Sequence, residues 1–167
     1  IFDQDLSHGD FASLEKYHLL YRFLSENVAS ELKIILQDAR FFQTKCPRLC
    51  NLLEIYGHKM SLHVTDSSVR HIKDCFILAD GKNYIKRIHI DQARFKYAIN
   101  DEASAEVLNN RFMELTTAIV DIVPTKPQPP IIHMGCYNAI PFLLLEKSWK
   151  NDLQMLEIVL SFASNGL

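Results

Sequence analysis

The clearest hydrophobic pattern lies in the middle of the chain, between residues 73 and 88. A continuous apolar run over residues 75–79 is typical of a strand that is buried on both faces. Asp80-Gly81 follows this run and predicts a tight hairpin turn, because glycine accepts the positive φ that such turns require. Residues 83–88 then alternate between the two faces of a returning strand. The pattern predicts the centre and the near edge of a sheet.

Four elements are predicted upstream of this hairpin, after an irregular stretch over residues 1–9. Apolar residues recur at spacings of three and four from residue 10 to residue 28, which predicts a helix. Asp10 is its predicted N-cap, and Lys16 is predicted to lie on its solvated side. The other three elements are a strand over residues 32–36, a helix that begins near Pro47 and stops at Gly57, and a strand over residues 60–64.

Downstream of the hairpin, residues 89–100 are predicted to form a loop with a short extended piece. A long helix is then expected to run from a cap at Asn100 or Asp101 to about Val120, with Val107 among its core positions. The whole pattern predicts an α/β domain, a layered sheet flanked by helices, over residues 1–123. Prolines then predict a stiff linker over residues 124–130, followed by a helical tail over residues 131–167.

Composition narrows the classes of protein that fit. The 167 residues, of which 48% are hydrophobic and 23% charged, suit a globular domain with an appendage. A formal net charge of -2 excludes a wholly basic nucleic-acid binder but allows a local basic patch. No apolar run is long enough for a membrane span, and the N-terminal stretch IFDQDLSHGD does not resemble a signal peptide. Because that stretch lacks Met, one expectation is that the chain is a fragment of a longer protein.

The cysteines are too sparse for a disulfide scaffold and predict reduced thiols in a cytoplasmic protein; there are four, Cys46, Cys50, Cys75 and Cys136. Cys46-x3-Cys50 could be combined with His58 and His63 into a zinc site, but two cysteines on one helix are not the usual looped pair. We therefore expect no metal and no cofactor. Cys75, in the middle of an apolar strand, is expected to be an inert thiol with a raised pKa rather than a nucleophile.

With its elements in this order, the chain resembles the phospholipase D-like superfamily over roughly residues 10–122. The segments that resemble that fold are ELKIILQDAR, CPRLCNLLEIYGH and the hairpin ending in Asp80-Gly81. Active members have His-x-Lys-x4-Asp on this strand, so Lys73 stands where the His should be and Cys75 where the Lys should be. Only Asp80 matches. The segment NNRFMEL is similar to the closing helix of non-catalytic bacterial relatives that are found beside acetyltransferase domains.

The resemblance implies half of a phospholipase D-like fold with a degenerate active site. In that family the His is the nucleophile that takes the phosphoryl group and the Lys binds phosphate oxygens, roles that Lys73 and Cys75 cannot fill. The leading hypothesis is therefore a non-catalytic binding or regulatory module, with an adjoining acetyltransferase domain as an expected partner. One alternative is a phosphodiester-processing enzyme that completes its site by dimerisation, using His71, Lys73 and Asp80. Another is a protein-interaction domain without a ligand.

Candidate binding residues come from the densest cationic stretch of the chain. With Lys73, they are Lys82, Lys86, Arg87, Arg94 and Lys96. Tyr84, Phe95 and Tyr97 lie between them, so cations for phosphates and rings for base stacking predict a surface for a phosphate-rich ligand or a nucleic acid. The alternative is a solvated hairpin edge, on which lysines prevent pairing with another strand.

Overall fold

A seven-stranded mixed sheet forms the centre of the domain. The computed structural model describes residues 1–26, 28–89 and 94–122. In chain order the elements are β1 (Phe2–Asp3), α1 (Leu14–Glu26), β2 (Leu32–Leu36), α2 (Arg40–Lys45), α3 (Pro47–Ile55), β3 (Met60–Thr65), β4 (Cys75–Ala79), β5 (Asn83–His89), β6 (Arg94–Ala98), α4 (Glu102–Thr117) and β7 (Ile119–Ile122). The strand order across the sheet is β6-β5-β4-β1-β2-β3-β7.

Strand β1 lies where the sheet changes from parallel to antiparallel pairing. On one side β1, β2 and β3 run parallel, and β7 adds to β3 in the opposite direction. On the other side β4 is antiparallel to β1 and continues into the β4-β5-β6 meander. Helices alternate with the parallel strands, so the α/β class predicted from the sequence is confirmed.

Helices cover both faces of the sheet, and each face has its own hydrophobic core. Helices α1, α2 and α3 pack on the face that contains Ile34 and Leu36, and we call this the three-helix face. Ile35 points the opposite way, as alternation along a strand requires, and packs with Phe2, Phe76 and α4. Buried on both sides, β2 and β4 fit their continuous apolar sequences.

The central hairpin forms as its sequence predicts. Strand β4 has the predicted bounds, and Asp80 and Gly81 occupy the turn with φ of 54° and 66°. Ala79 then pairs with Asn83 to begin β5. The positive φ explains why glycine occupies position 81. Nothing lies within 4 Å of where a Cβ would be, so only the backbone conformation disfavours a side chain.

Several shorter predictions were wrong. Residues 1–9, predicted to be irregular, contain the central strand β1, and α2 and β7 were not predicted. By contrast, the short extended piece predicted within residues 89–100 is present as β6, which pairs with β5. In α1, Lys16 is fully buried, and the helix begins after Ser13, whose Oγ accepts from the Lys16 N–H, rather than after Asp10. In α4, Asp101 is the N-cap as expected, but Val107 is 68% exposed.

The predicted linker over residues 124–130 and helical tail over residues 131–167 lie outside the described residues. Within the part of the chain that is described, no helix is both long and apolar enough to cross a membrane.

Candidate functional site

A row of side chains crosses four strands at the carboxyl end of β1. Phe2 pairs with Phe76, so the next residue, Asp3, lies beside Cys75. Cys75 pairs in turn with Arg87, and Arg87 pairs with Phe95 on β6. Because laterally paired residues share a face of the sheet, this row lies on the three-helix face. The carboxyl end of a strand at which the sheet changes direction is a common place for ligands in open α/β sheets.

Arg87 is a buried cation whose hydrogen-bonding capacity is only partly used. Its side chain is 6% exposed, and Nη2 donates to the Sγ of Cys75 at 3.2 Å. The Oδ2 of Asp3 lies 3.7 Å from Nη2, which is close enough for an ion pair but too long for a good hydrogen bond. Among the described residues, Nε has no hydrogen-bond partner. Nε is therefore a buried donor without a partner among these residues, which is costly.

Asp3 is oriented by the loop that leaves β1. Its Oδ1 accepts from the backbone N–H groups of Asp5 at 3.2 Å and Leu6 at 3.1 Å, which leaves Oδ2 toward Arg87. Leu6 is fully buried with a φ of 66°, a conformation that costs a residue with a Cβ about 1–2 kcal/mol. The loop is therefore held by its buried anchor and by the Asp3 carboxylate, against local backbone preference.

A small cavity lies directly against Arg87. Its volume is about 40 Å³, which exceeds the space that one water molecule needs. The polar side chains in its lining are Asp3, His8, Cys75 and Arg87, and the apolar ones include Phe11, Ile77, Ile85 and Phe95. His8 is exposed, so the cavity opens toward solvent beside it. We call this feature, lined by these residues, the Arg87 cavity.

The thiol of Cys75 is not activated by its cationic neighbour. Burial and the Asp3 carboxylate raise its pKa to about 11, and these effects exceed the opposing influence of the Arg87 guanidinium. At neutral pH the group is therefore a neutral thiol, and it offers a weak acceptor to Arg87 rather than a nucleophile. The raised pKa and inert character expected from the sequence match this environment.

The candidate cations of the sequence do not form one surface. Arg87 is buried on the three-helix face, whereas Lys86 lies on the α4 face and pairs with Asp74 at 3.0 Å. Lys96 is exposed opposite Lys86 in the β5–β6 register. The remaining three are dispersed: Lys73 is exposed before β4, Lys82 lies in the hairpin turn and Arg94 is exposed at the start of β6.

The rings between these cations are also divided. Tyr84 is only 2% exposed and belongs to the core under α4. Phe95 packs against the other core and lines the Arg87 cavity, while Tyr97 is 55% exposed. Of these three rings, only Tyr97 is available for a base to stack on.

Residues at the positions of the phospholipase D-like motif also lie apart. Lys73 precedes β4, Cys75 begins the strand and Asp80 lies in the turn at its other end. Five residues of extended strand separate the last two, a distance of about 17 Å. His71, proposed for a dimeric enzyme, is exposed on the Lys73 side, with Nδ1 2.7 Å from the carbonyl oxygen of Ser68.

The hypothetical zinc ligands are not gathered either. Cys46 lies between α2 and α3 and is fully buried, and the Sγ of Cys50 donates to the carbonyl of Phe42 at 3.7 Å. His58 and His63 do not join them, and no cluster of three or more His, Cys, Asp or Glu suited to a metal occurs in residues 1–26, 28–89 and 94–122.

Sequence reasoning included Arg87 among the candidates but missed Asp3 and His8. Both lie in the stretch that was predicted to be irregular. A weak signal was present, since Ile1-Phe2 followed by acidic and polar residues resembles a short buried strand that ends at a loop. Two apolar residues are too few to distinguish such a strand from a loop.

No protein-family model, curated protein or solved structure matches this chain. The domain is therefore defined by its own features: a mixed α/β sheet with a buried, incompletely paired arginine beside a small cavity.

Proposed function

We propose that this domain is a non-catalytic binding module whose ligand presents an anionic group to Arg87. The observation that supports this most directly is the 6% exposed guanidinium whose Nε has no partner among the described residues, beside a cavity of about 40 Å³. A bound anion would give charge-assisted hydrogen bonds to this guanidinium, whose charge is otherwise costly to bury.

The chemistry of the cavity wall supports a non-catalytic role. Cys75 is a neutral thiol at neutral pH, because its pKa is raised to about 11. The cationic and acidic residues of the resembled motif, Lys73 and Asp80, do not line this cavity. The alternative, a phosphodiester-processing enzyme completed by dimerisation, is tested by incubating the protein with a generic phosphodiester. Turnover that disappears in His71→Ala would support the enzyme and contradict the binding module.

The wider hypothesis, a module for phosphate-rich ligands beside an acetyltransferase domain, rests on the resemblance and on exposed cations such as Lys96. Its cytoplasmic location also remains a prediction. The Arg87 cavity and the exposed cations are separate features, so their ligands are tested separately.

Anion binding is tested by thermal unfolding of the whole chain in sulfate, phosphate or acetate, at an ionic strength matched with chloride. A ligand that binds only the folded state raises the melting temperature, and the rise continues with the logarithm of ligand concentration above the Kd. We expect at least one anion to raise it, and Arg87→Lys to reduce the effect because lysine lacks the planar fork. Arg111→Lys, on the exposed side of α4, is the matched control.

Two results would contradict the proposal: no anion stabilises the protein beyond chloride, or the Arg87→Lys variant responds as fully as the parent. Either would favour the alternative of a protein-interaction domain without a ligand.

A further inference from the structure

The Arg87 cavity contains an anionic side chain as well as a cationic one. We infer that Asp3 makes it a site for a monoanion, and that its ligand is a carboxylate on an apolar stem rather than a phosphate dianion. This inference rests on the anion-binding function proposed above and specifies the class of ligand.

The charge balance inside the cavity favours a monoanion. Arg87 supplies one positive charge, and the Asp3 carboxylate lies 3.7 Å from it with a side chain only 11% exposed. The pair is close to neutral as a unit, so a monoanion leaves one net negative charge and a dianion leaves two. Burial limits screening by solvent, so each further negative charge is disfavoured by Asp3.

The shape of a carboxylate also suits Arg87. A carboxylate has a planar, two-oxygen edge that fits a guanidinium side by side. Arg87 lines the cavity, so its guanidinium is the group that would meet this edge.

The rest of the cavity wall is apolar, and its side chains are Phe11, Ile77, Ile85 and Phe95. The part of the ligand beyond the carboxylate therefore meets apolar surface. Such a wall favours a stem of hydrocarbon or aromatic character, since its burial removes apolar area from water. His8 and Gly9 lie in the same lining, where a longer ligand would leave the cavity.

The orientation of Asp3 shows why it can act in selectivity without being the binding residue. Its Oδ1 is occupied by two backbone N–H groups of the loop, and its Oδ2 lies toward Arg87. Asp3→Asn retains an oxygen for the loop and removes the charge. Asp5→Asn is the matched control, because Asp5 lies two residues away on the same loop and does not line the cavity.

The experiment compares three probes by titration of the whole chain at pH 7.5: acetate, benzoate and phenyl phosphate. We expect benzoate to bind at least about tenfold more tightly than acetate, because its ring is buried against the apolar wall. We also expect it to bind at least about tenfold more tightly than phenyl phosphate, because the second negative charge of phenyl phosphate lies close to Asp3. In Asp3→Asn the disadvantage of phenyl phosphate should shrink by about tenfold. Asp5→Asn should leave all three affinities unchanged.

A second measurement keeps the inference testable if Asp3→Asn does not fold. The second ionisation of a phosphate monoester lies near pH 6. In the parent protein, the affinity for phenyl phosphate relative to benzoate should therefore fall between pH 5 and pH 7.5. The ratio of the two affinities is compared at each pH, so a change in protein stability that affects both probes equally cancels.

The outcomes separate the inference from the function on which it rests. If none of the probes binds, or if Arg87→Lys binds them unchanged, the anion-binding function fails. Two results would leave the function standing but overturn the inference, provided that the probes bind through Arg87. One is a preference for phenyl phosphate over benzoate at pH 7.5. The other is a ratio of benzoate to phenyl phosphate affinity that is the same in Asp3→Asn as in the parent.

Discussion

The carboxylate of Asp3 and the guanidinium of Arg87 lie 3.7 Å apart, although β4 separates their strands in the sheet. Both side chains reach across the same face, above Cys75. The pair therefore ties the start of the described chain to the β4-β5-β6 meander. Because both groups are buried, each depends on the other for compensation of its charge.

Removing one member of this pair should be costly. We predict that Arg87→Met lowers the free energy of unfolding by about 3 kcal/mol, because it leaves the Asp3 carboxylate buried without its cation. In the double variant Arg87→Met/Asp3→Asn, the loss should be smaller than the sum of the two single losses. Urea denaturation of the three variants measures both effects.

The control for this prediction is an ion pair of similar type on the surface. Arg111 and Glu114 are 2.9 Å apart with side chains 41% and 67% exposed. Arg111→Met should therefore cost less than about 1 kcal/mol. Equal losses for the two arginines, or full additivity in the double variant, would show that the buried pair is not coupled.

Strand β4 gives a second prediction. Phe76 is 3% exposed and lies between the rings of Phe2 and Phe112, at centroid distances of 5.7 and 6.4 Å. Phe76→Ala should lower the free energy of unfolding by about 3–5 kcal/mol, through lost burial and the cavity that remains. Val107→Ala, on the exposed side of α4, should change it by less than about 0.5 kcal/mol. A loss below about 1 kcal/mol at Phe76 would contradict the packing described.

The hairpin could be predicted from sequence because its signals are local. The apolar run, the Asp-Gly turn and the returning strand adjoin one another, and the turn residue sets the backbone conformation directly. Strand β1 is different. Its two residues become a strand only because Ile35 and Phe76 pair with Phe2 from distant parts of the chain. No local pattern contains that information.

The site shows the same limit. Arg87 was grouped with the candidate surface cations because it lies in the densest cationic stretch of the chain. It is buried because Asp3, from the unrecognised strand, and Cys75 lie beside it. Lys16 was missed for a related reason: the buried stripe of α1 runs through Lys16, Leu20 and Leu24, and residue type alone favoured a rotated stripe through Leu14 and Tyr21.

Two buried thiols give a prediction for alkaline pH. Burial raises the pKa of Cys46 and of Cys75 from 9.0 to about 11. An acid whose pKa is higher in the folded state stabilises the fold below pH 9 and loses that contribution as the pH rises through about 11. We predict that the free energy of unfolding falls between pH 8 and pH 10.5, by up to about 2 kcal/mol per thiol.

The variants Cys46→Ala and Cys75→Ala separate this effect from lost packing. Each should be less stable than the parent at pH 7 but should lose less further stability between pH 8 and pH 10.5. The difference between the two pH values cancels the packing loss. A pH dependence that is the same in the parent and in both variants would assign the alkaline loss to other groups.

The division that the sequence predicts near residue 123 gives a fourth prediction. Prolines at 124, 127, 129 and 130 are unfavourable in a helix interior or a central strand and therefore predict a linker. A chain that ends at Val123 should therefore remain folded and unfold cooperatively in urea, with the far-ultraviolet spectrum of a mixed α/β protein. An insoluble product, or one without a cooperative transition, would show that residues 124–167 complete the core.

The last prediction concerns the exposed cations rather than the Arg87 cavity. Arg94 and Lys96 lie on β6, the edge strand beyond β5, beside the exposed ring of Tyr97. If this edge binds a phosphate-rich polymer, the affinity for a single-stranded DNA oligonucleotide should be weak and should fall steeply with salt. Arg94→Glu/Lys96→Glu should then remove most of the binding, and the slope of log affinity against log salt should fall by about 0.7 for each phosphate contact that is lost.

Arg87→Lys is the control that separates this edge from the buried site. The Arg87 side chain is 6% exposed and cannot contact a polymer on the surface, so this change should leave oligonucleotide binding intact while it weakens binding of small anions. Fluorescence anisotropy at several salt concentrations measures both quantities. Binding that is absent even at low salt, or unchanged in the double charge reversal, would leave Arg94 and Lys96 with the role that cations have on many edge strands, which is to prevent pairing with a strand of another chain.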